Sequence, residues 1–131
     1  MEKISVSEAP LDPGEVYDLI GKGRSGSVLL HYAVVRRRTG DQVTTGIEFR
    51  AEGDAAAELA AIADEMRGKW GVDDVLLARR VGRLDIGDII GLVAVSCPRS
   101  KDVFEACQYG VSRLKQMKTI AKTETHEQTA S

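Results

Sequence analysis

The chain has no apolar run approaching the roughly 18 residues that a membrane-spanning helix needs. Its opening decapeptide, MEKISVSEAP, lacks the basic-then-apolar pattern of a secretory leader. Neither a membrane span nor export is expected, and the expected location is the cytoplasm. Charge of one sign is not in excess either: 18 basic against 20 acidic residues leave a net charge of -2 over 131 residues, with a pI near 5.7. That balance offers no general attraction to nucleic acid or anionic lipid, so any basic site has to be local. Histidine and cysteine are scarce, at two of each. His31 and His126 stand far apart, and Cys97 and Cys107 form no CxxC pair. Zinc-ligand spacing is thereby missing, and both cysteines read as ordinary reduced thiols. There is no internal repeat. No nucleophile with its base, no paired carboxylates and no metal set can be assembled, and no cofactor is expected.

What is present fits one ordinary domain, expected over residues 1–122, followed by a mobile tail over 123–131 (TETHEQTAS) that has almost no apolar residue. Ile4 and Val6 alternate with polar neighbours, as in a short edge strand. Asp12, Pro13 and Glu15 form a helix start, and Gly21 marks its stop. Gly23 to Gly26 reads as a turn. Ser27 to Arg36 (SVLLHYAVVR) is a β-branched run that suits a central strand buried on both faces. Thr39, Gly40 and Asp41 carry turn chemistry, so Val43 to Arg50 is expected to return as the second strand of an antiparallel hairpin. Ala51 to Trp70 places Leu59, Ile62, Ala63, Met66 and Trp70 on one helical face, with Asp54 as N-cap and Gly71 as stop. Strands follow at Val75–Val81 and Ile89–Ser96. The glycines between them mark tight backbone, because no helix follows Gly87 to aim amides at a phosphate. Ser100 is placed to cap a last helix. The order implies an α+β domain with a mainly antiparallel sheet covered by helices.

The most informative stretch is Phe104 to Glu124 (FEACQYGVSRLKQMKTIAKTE). Val103, Cys107, Gly110, Val111, Leu114 and Met117 recur at three- and four-residue spacing, so one stripe is buried beside Lys115, Lys118 and Lys122. Seven residues make almost two turns, so Lys115 and Lys122 share a face if the helix runs on. Like charges held together are favourable around a bound anion. The other reading is a solvated basic terminus that complements the helix dipole. Arg36, Arg37 and Arg38 beside a glycine-bearing loop carry the same pair of readings, an anion-binding fork or a solvated strand end.

Three blocks, RVGRLDIGD at Arg80–Asp88 followed by a strand ending VAVS, FEACQYGVSRLK at Phe104–Lys115 and IADEMRGKWGV at Ile62–Val72, together resemble the large, catalytic subunit of molybdopterin synthase, the MoaE-type family. The resemblance covers almost the whole chain. It implies an α/β-hammerhead fold, a homodimer, and at each end a small ubiquitin-like (MoaD-type) sulfur carrier. The carrier's C-terminal Gly-Gly thiocarboxylate would enter a pocket and deliver sulfur to cyclic pyranopterin monophosphate, giving molybdopterin for molybdenum cofactor biosynthesis. It further implies Lys115 and Lys122 as catalytic residues. Arg36, Arg99, Val34, Val35, Thr123 and Glu124 are implied on the substrate-binding side, Arg36 as an anion ligand and Arg99 acting from the neighbouring protomer.

Several positions depart from the family pattern. His31 and Ala33 stand where the FxGxVR strand has an aromatic residue and a glycine, and Cys97-Pro98-Arg99 replaces an alanine-histidine-arginine triplet. Thr119, Ile120 and Ala121 replace a proline, an aromatic residue and a tryptophan. Glu52 to Asp54 replaces a tyrosine-proline segment, and Arg79 stands for the histidine before RVG. The resemblance therefore carries a second reading, a catalytically impaired MoaE-like paralogue acting as a dimeric binding or regulatory protein.

Overall fold

The two most deeply buried strands lie side by side at the centre of one sheet: β5 (Asp74–Arg80) and β7 (Ile89–Cys97), paired antiparallel from Asp74 opposite Ser96 to Arg79 opposite Gly91. The structure, a computed structural model, describes residues 1–21 and 25–127. Strand β1 (Glu2–Ser7) adds in parallel to β5, and β2 (Ser27–Val34) adds antiparallel to β7, giving the order β1-β5-β7-β2. The near-continuous burial of β5 and β7 explains their composition, since both faces are covered. The edge expected for Ile4 and Val6 is where β1 sits. β2 is not the central strand its composition suggested. It is the opposite edge, and it leaves Val28, Tyr32 and Val34 exposed.

The expected hairpin between β2 and the next long strand does not form. Strand β4 (Gln42–Ala51) belongs to a second sheet, where it pairs with β3 (Arg38–Thr39), β6 (Gly82–Leu84) and β8 (Ile120–His126). The turn chemistry around Gly40, whose φ is +63°, serves the short β3–β4 return instead. Strand β6 has only three residues, Gly-Arg-Leu, too few to show an alternation, and was not expected. Part of the Gly23–Gly26 turn lies outside the described residues.

Helix α1 (Pro13–Leu19) starts as the sequence implied, with the Asp12 carboxylate accepting from the Gly14 amide at 2.8 Å. Helix α2 (Ala55–Lys69) is likewise capped by Asp54, which accepts from Ala57 N at 2.9 Å. Helix α3 (Ser100–Lys115) has Arg99, not Ser100, at its N-cap, with no side-chain capping bond. Leu59, Ile62 and Met66 of α2 and Val103, Ala106, Cys107 and Leu114 of α3 pack with Val75, Leu77, Val93 and Val95 in the main core. Trp70 packs against that core and bonds Glu105 through its indole N–H at 2.9 Å, the packing role its place on the stripe suggested. On the other face of the first sheet Ile20 meets Leu76 and Ala94, and between the sheets Val35, Ile47, Phe49 and Leu84 form a smaller cluster. No helix among the described residues is long and apolar enough to cross a membrane.

Helix α3 stops at Lys115. The expected continuation to Glu124 is a turn and then strand β8, so Lys122 shares no helical face with Lys115. The β-branched residues Thr119, Ile120 and Thr123 of the TIAKT segment at 119–123 favour extended backbone, and Glu58 fixes the turn. Its carboxylate accepts from Lys118 N, Thr119 N and the Thr119 hydroxyl at 2.6–3.1 Å. Thr123–His126, expected as the start of a mobile tail, instead pair with β4, and the end of that expected tail lies outside the described residues.

A basic cleft as the candidate functional site

The end of α3, the end of β2 and the face of β8 meet around a cavity of roughly 620 Å³. Lys115 reaches it from the last turn of α3, Arg36 from the segment after β2, and Lys122 and Glu124 from alternate positions of β8. The two lysines are thus brought together by tertiary structure, although the helix that was to align them ends between them. Val34 and Val35 line the cavity too, so six of the eight residues singled out from the sequence lie on one cleft. Thr123 does not, since a strand turns successive side chains to opposite faces and Lys122 and Glu124 take the inward one. Arg99 lies at the start of α3, about 24 Å from Lys115 along a 16-residue helix, and is remote from this cleft.

Local structure explains how each group is held. The Val35 amide donates to Asp88 O at 3.0 Å, and Gly87 N donates back to Val35 O at 2.9 Å. Gly82 and Gly87 have φ of +97° and +87°, the left-handed region that glycine tolerates, so the RVGRLDIGD segment forms the tight clamp that fixes the backbone beside Arg36. Asp88 in turn accepts from Asp85 N at 2.9 Å and pairs with Arg80 at 3.2 Å. Glu124 accepts from the Thr44 hydroxyl at 2.6 Å and lies 3.7 Å from Lys122 Nζ. Burial pushes the Glu58 carboxyl up, but the Thr119 hydroxyl, the Lys118 and Thr119 amides and the Arg113 charge together hold it below its usual value.

Arg79 lines the same cavity and was not singled out as a site residue. It is buried, and its charge is disfavoured by that burial, with Glu58 the only opposing influence. With Arg36, Lys115 and Lys122 it makes four cations against the single carboxylate of Glu124, a formal local charge of +3 in a chain whose total is -2. The cleft's remaining lining is largely apolar, including Phe49, Ile90, Val93, Leu114 and Met117. Fixed donors on apolar walls suit an oxyanion, whose charge is screened less there than in water. The cysteines take no part. Both are buried in the core away from the cleft, and burial pushes each thiol up to about 11. Among the described residues no three His, Cys, Asp or Glu side chains gather to hold a metal ion.

The model of the MoaE protein family matches residues 6–117. The chain belongs to the MoaE family. The molybdopterin synthase catalytic subunit of Bacillus subtilis is 31% identical over 97% of this chain and 82% of its own length. That of Nostoc is 33% identical over 94% and 76%. The crystal structure of molybdopterin synthase from Staphylococcus aureus superposes with a TM-score of 0.85 at 31% identity, over 93% of this chain and 90% of that one. The family resemblance, the α+β fold class and the place among molybdopterin synthase catalytic subunits, in molybdenum cofactor biosynthesis, are therefore borne out. In this MoaE chain the motif RVGRLDIGD acts through backbone, and the lysine of FEACQYGVSRLK is the one that enters the cleft.

Proposed function

We propose that the cleft is the sulfur-transfer site of a cytoplasmic molybdopterin synthase large subunit, and that the chain works as a single domain in a homodimer with a small Gly-Gly-tailed carrier at each end. The observation that carries this reading is the concentration of Arg36, Arg79, Lys115 and Lys122 around one apolar-walled cavity in an otherwise acidic protein. A thiocarboxylate tail and a pterin phosphate are both anions that such a set recognises. The buried thiols support the same conclusion from the other side: at neutral pH a thiol near 11 is about one part in ten thousand thiolate, so the sulfur has to arrive on a partner.

The chemistry assigns the groups. The thiocarboxylate sulfur attacks an oxygen-bearing side-chain carbon of the pterin, the C–O bond at that carbon breaks and the oxygen leaves with protons as water, so that a thioester joins carrier and substrate. For the sulfur to stay on the pterin, water adds to the thioester carbonyl and the acyl C–S bond then breaks, releasing the carrier as a carboxylate. A negative oxygen develops at that carbonyl carbon, and Lys115, at the end of a rigid helix, is the donor that stabilises it. Lys122 holds the tail, with Glu124 and Thr44 fixing its strand. Arg36 holds the substrate's anion beside the Val34–Val35 backbone. Thr123 and Arg99 lie off this cleft, and Arg99 contributes only from the neighbouring protomer.

A second reading, a MoaE-like binding protein without pterin conversion, is favoured by Pro98 at a position where the family carries histidine. One assay separates them. Thiocarboxylated carrier and cyclic pyranopterin monophosphate yield molybdopterin with the enzyme, whereas the binding protein holds the carrier and yields none.

A further inference from the structure

The side chain of Arg79 occupies a slot shaped for it. Arg79 lies opposite Gly91 in the β5–β7 pairing, and a Cβ at Gly91 would come within 2.9 Å of Arg79 Cδ and 3.1 Å of Ala78 O. The guanidinium carbon stands 5.0 Å from the centre of the Phe49 ring, over its face. Nη1 donates to the Leu114 carbonyl at 3.0 Å and approaches Met117 Sδ at 3.7 Å. Arg79 is 6% exposed, and its Nε is buried with no hydrogen-bond partner. Among the described residues no carboxylate pairs with it.

An arginine cannot shed its proton, so a buried guanidinium with no carboxylate in direct contact is unfavourable, and the Glu58 charge acts on it only through space. A strut tying α3 to β5 accounts for the bond to Leu114, but an apolar side chain filling the slot would pack the same elements without the charge. The bare Nε and the missing direct ion pair need a different reason. Leu114 precedes Lys115, so whatever Arg79 holds is brought next to that lysine.

We infer that Arg79 is the buried half of an oxyanion subsite whose exposed half is Lys115, and that a phosphate or carboxylate oxygen of the ligand is the partner its guanidinium lacks. This rests on the anion-binding reading of the cleft given above, and it adds a residue that fixes where in the cleft the anion sits. Phosphate and carboxylate share the chemistry, and separate probes distinguish them.

The experiment follows thermal unfolding of the full chain during titration with inorganic phosphate at constant ionic strength, and again with a short peptide ending in Gly-Gly and a free carboxylate. The wild type is compared with Arg79→Met, Gly91→Ala and Lys115→Ala. The wild type is expected to gain stability with at least one probe, and the probe whose Kd rises tenfold or more in Arg79→Met names the anion. The unliganded Tm of Arg79→Met is expected to equal or exceed that of the wild type, which a strut does not predict. If Arg79→Met fails to fold, Gly91→Ala decides. It crowds the Arg79 stem and should raise the same Kd at least threefold, so an unchanged Kd overturns the inference. Weakened binding in Lys115→Ala with unchanged Kd in Arg79→Met also overturns it while leaving the cleft an anion site. A wild type that binds neither probe removes both.

Discussion

Replacing Glu58 with alanine removes the acceptor on which the turn between α3 and β8 is built. Three donors lose their partner, the amides of Lys118 and Thr119 and the Thr119 hydroxyl, at 2.6–3.1 Å. Hydrogen bonds to a charged acceptor contribute about 1.5–3 kcal/mol each when well enclosed, and water can replace part of that at a half-buried site. The expected loss is therefore about 2–3 kcal/mol in total, not the sum of three full bonds. For a domain of this size it corresponds to a fall in Tm of roughly 6–12 °C. The pH dependence carries a definite sign. Glu58 is held below its usual value in the folded chain, so its contribution is fully present above about 4.5, the unfolded value, and is lost as pH falls through the lower folded value. The gap in Tm between wild type and Glu58→Ala should be full at pH 7 and should shrink below pH 4.5. Because Glu52 N donates to Thr119 O at 2.7 Å, the same change should speed amide exchange along β8, where Lys122 and Glu124 sit. A Tm gap that stays constant from pH 7 to pH 3, or unchanged exchange along β8, would refute the assignment of Glu58 as the anchor of that strand.

Asp74 is buried and accepts from the Met1 ammonium at 2.8 Å, the Gly21 amide at 3.0 Å and the Ser96 hydroxyl at 2.8 Å. Asp74→Ala should lower stability by about 2–4 kcal/mol, read as a lower urea midpoint at unchanged slope. Cys97 and Cys107 should resist a thiol-specific reagent in the native chain at pH 7 and react on unfolding, and the Cys97→Ala/Cys107→Ala double variant should retain sulfur transfer; rapid native labelling contradicts the core placement. Gly87→Ala forces a side chain into φ +87° and should cost about 1–2 kcal/mol by chemical denaturation, with weaker anion binding as the clamp beside Arg36 loosens.

Much of the fold was legible because the signals were local. The caps at Asp12 and Asp54, the stripe on α2 and the apolar runs of β5 and β7 each depend on a few neighbouring residues. Partner choice among strands is not local, which is why β2 and β4 were expected as a hairpin although a β-branched run looks the same at a sheet's centre and at its edge. The end of α3 was hidden for a related reason. Nothing between Lys115 and Ile120 breaks a helix by composition, and the decisive contact comes from Glu58, some 60 residues earlier. The lysine spacing brought Lys115 and Lys122 to one cleft by the wrong geometry, since Lys122 arrives on a strand. Arg79 was passed over because nothing in its neighbourhood of the sequence shows that the position is buried, beside Phe49, and, among the described residues, without a direct ion pair. Arg99 and Thr123 came from family position alone, and the strand's alternation and the helix's length set them apart from the cleft.

The most direct test of the central claim is the single-turnover rate of molybdopterin formation from cyclic pyranopterin monophosphate and thiocarboxylated carrier, measured for wild type and Lys115→Ala alongside the carrier's Kd. A donor that acts mainly on the developing oxyanion should, when removed, lower the rate by about 100-fold or more and change the Kd little. Wild-type conversion followed by that selective loss is the predicted result. No conversion by the wild type, or equal rates in the two proteins, would contradict the placement of catalysis at the end of α3.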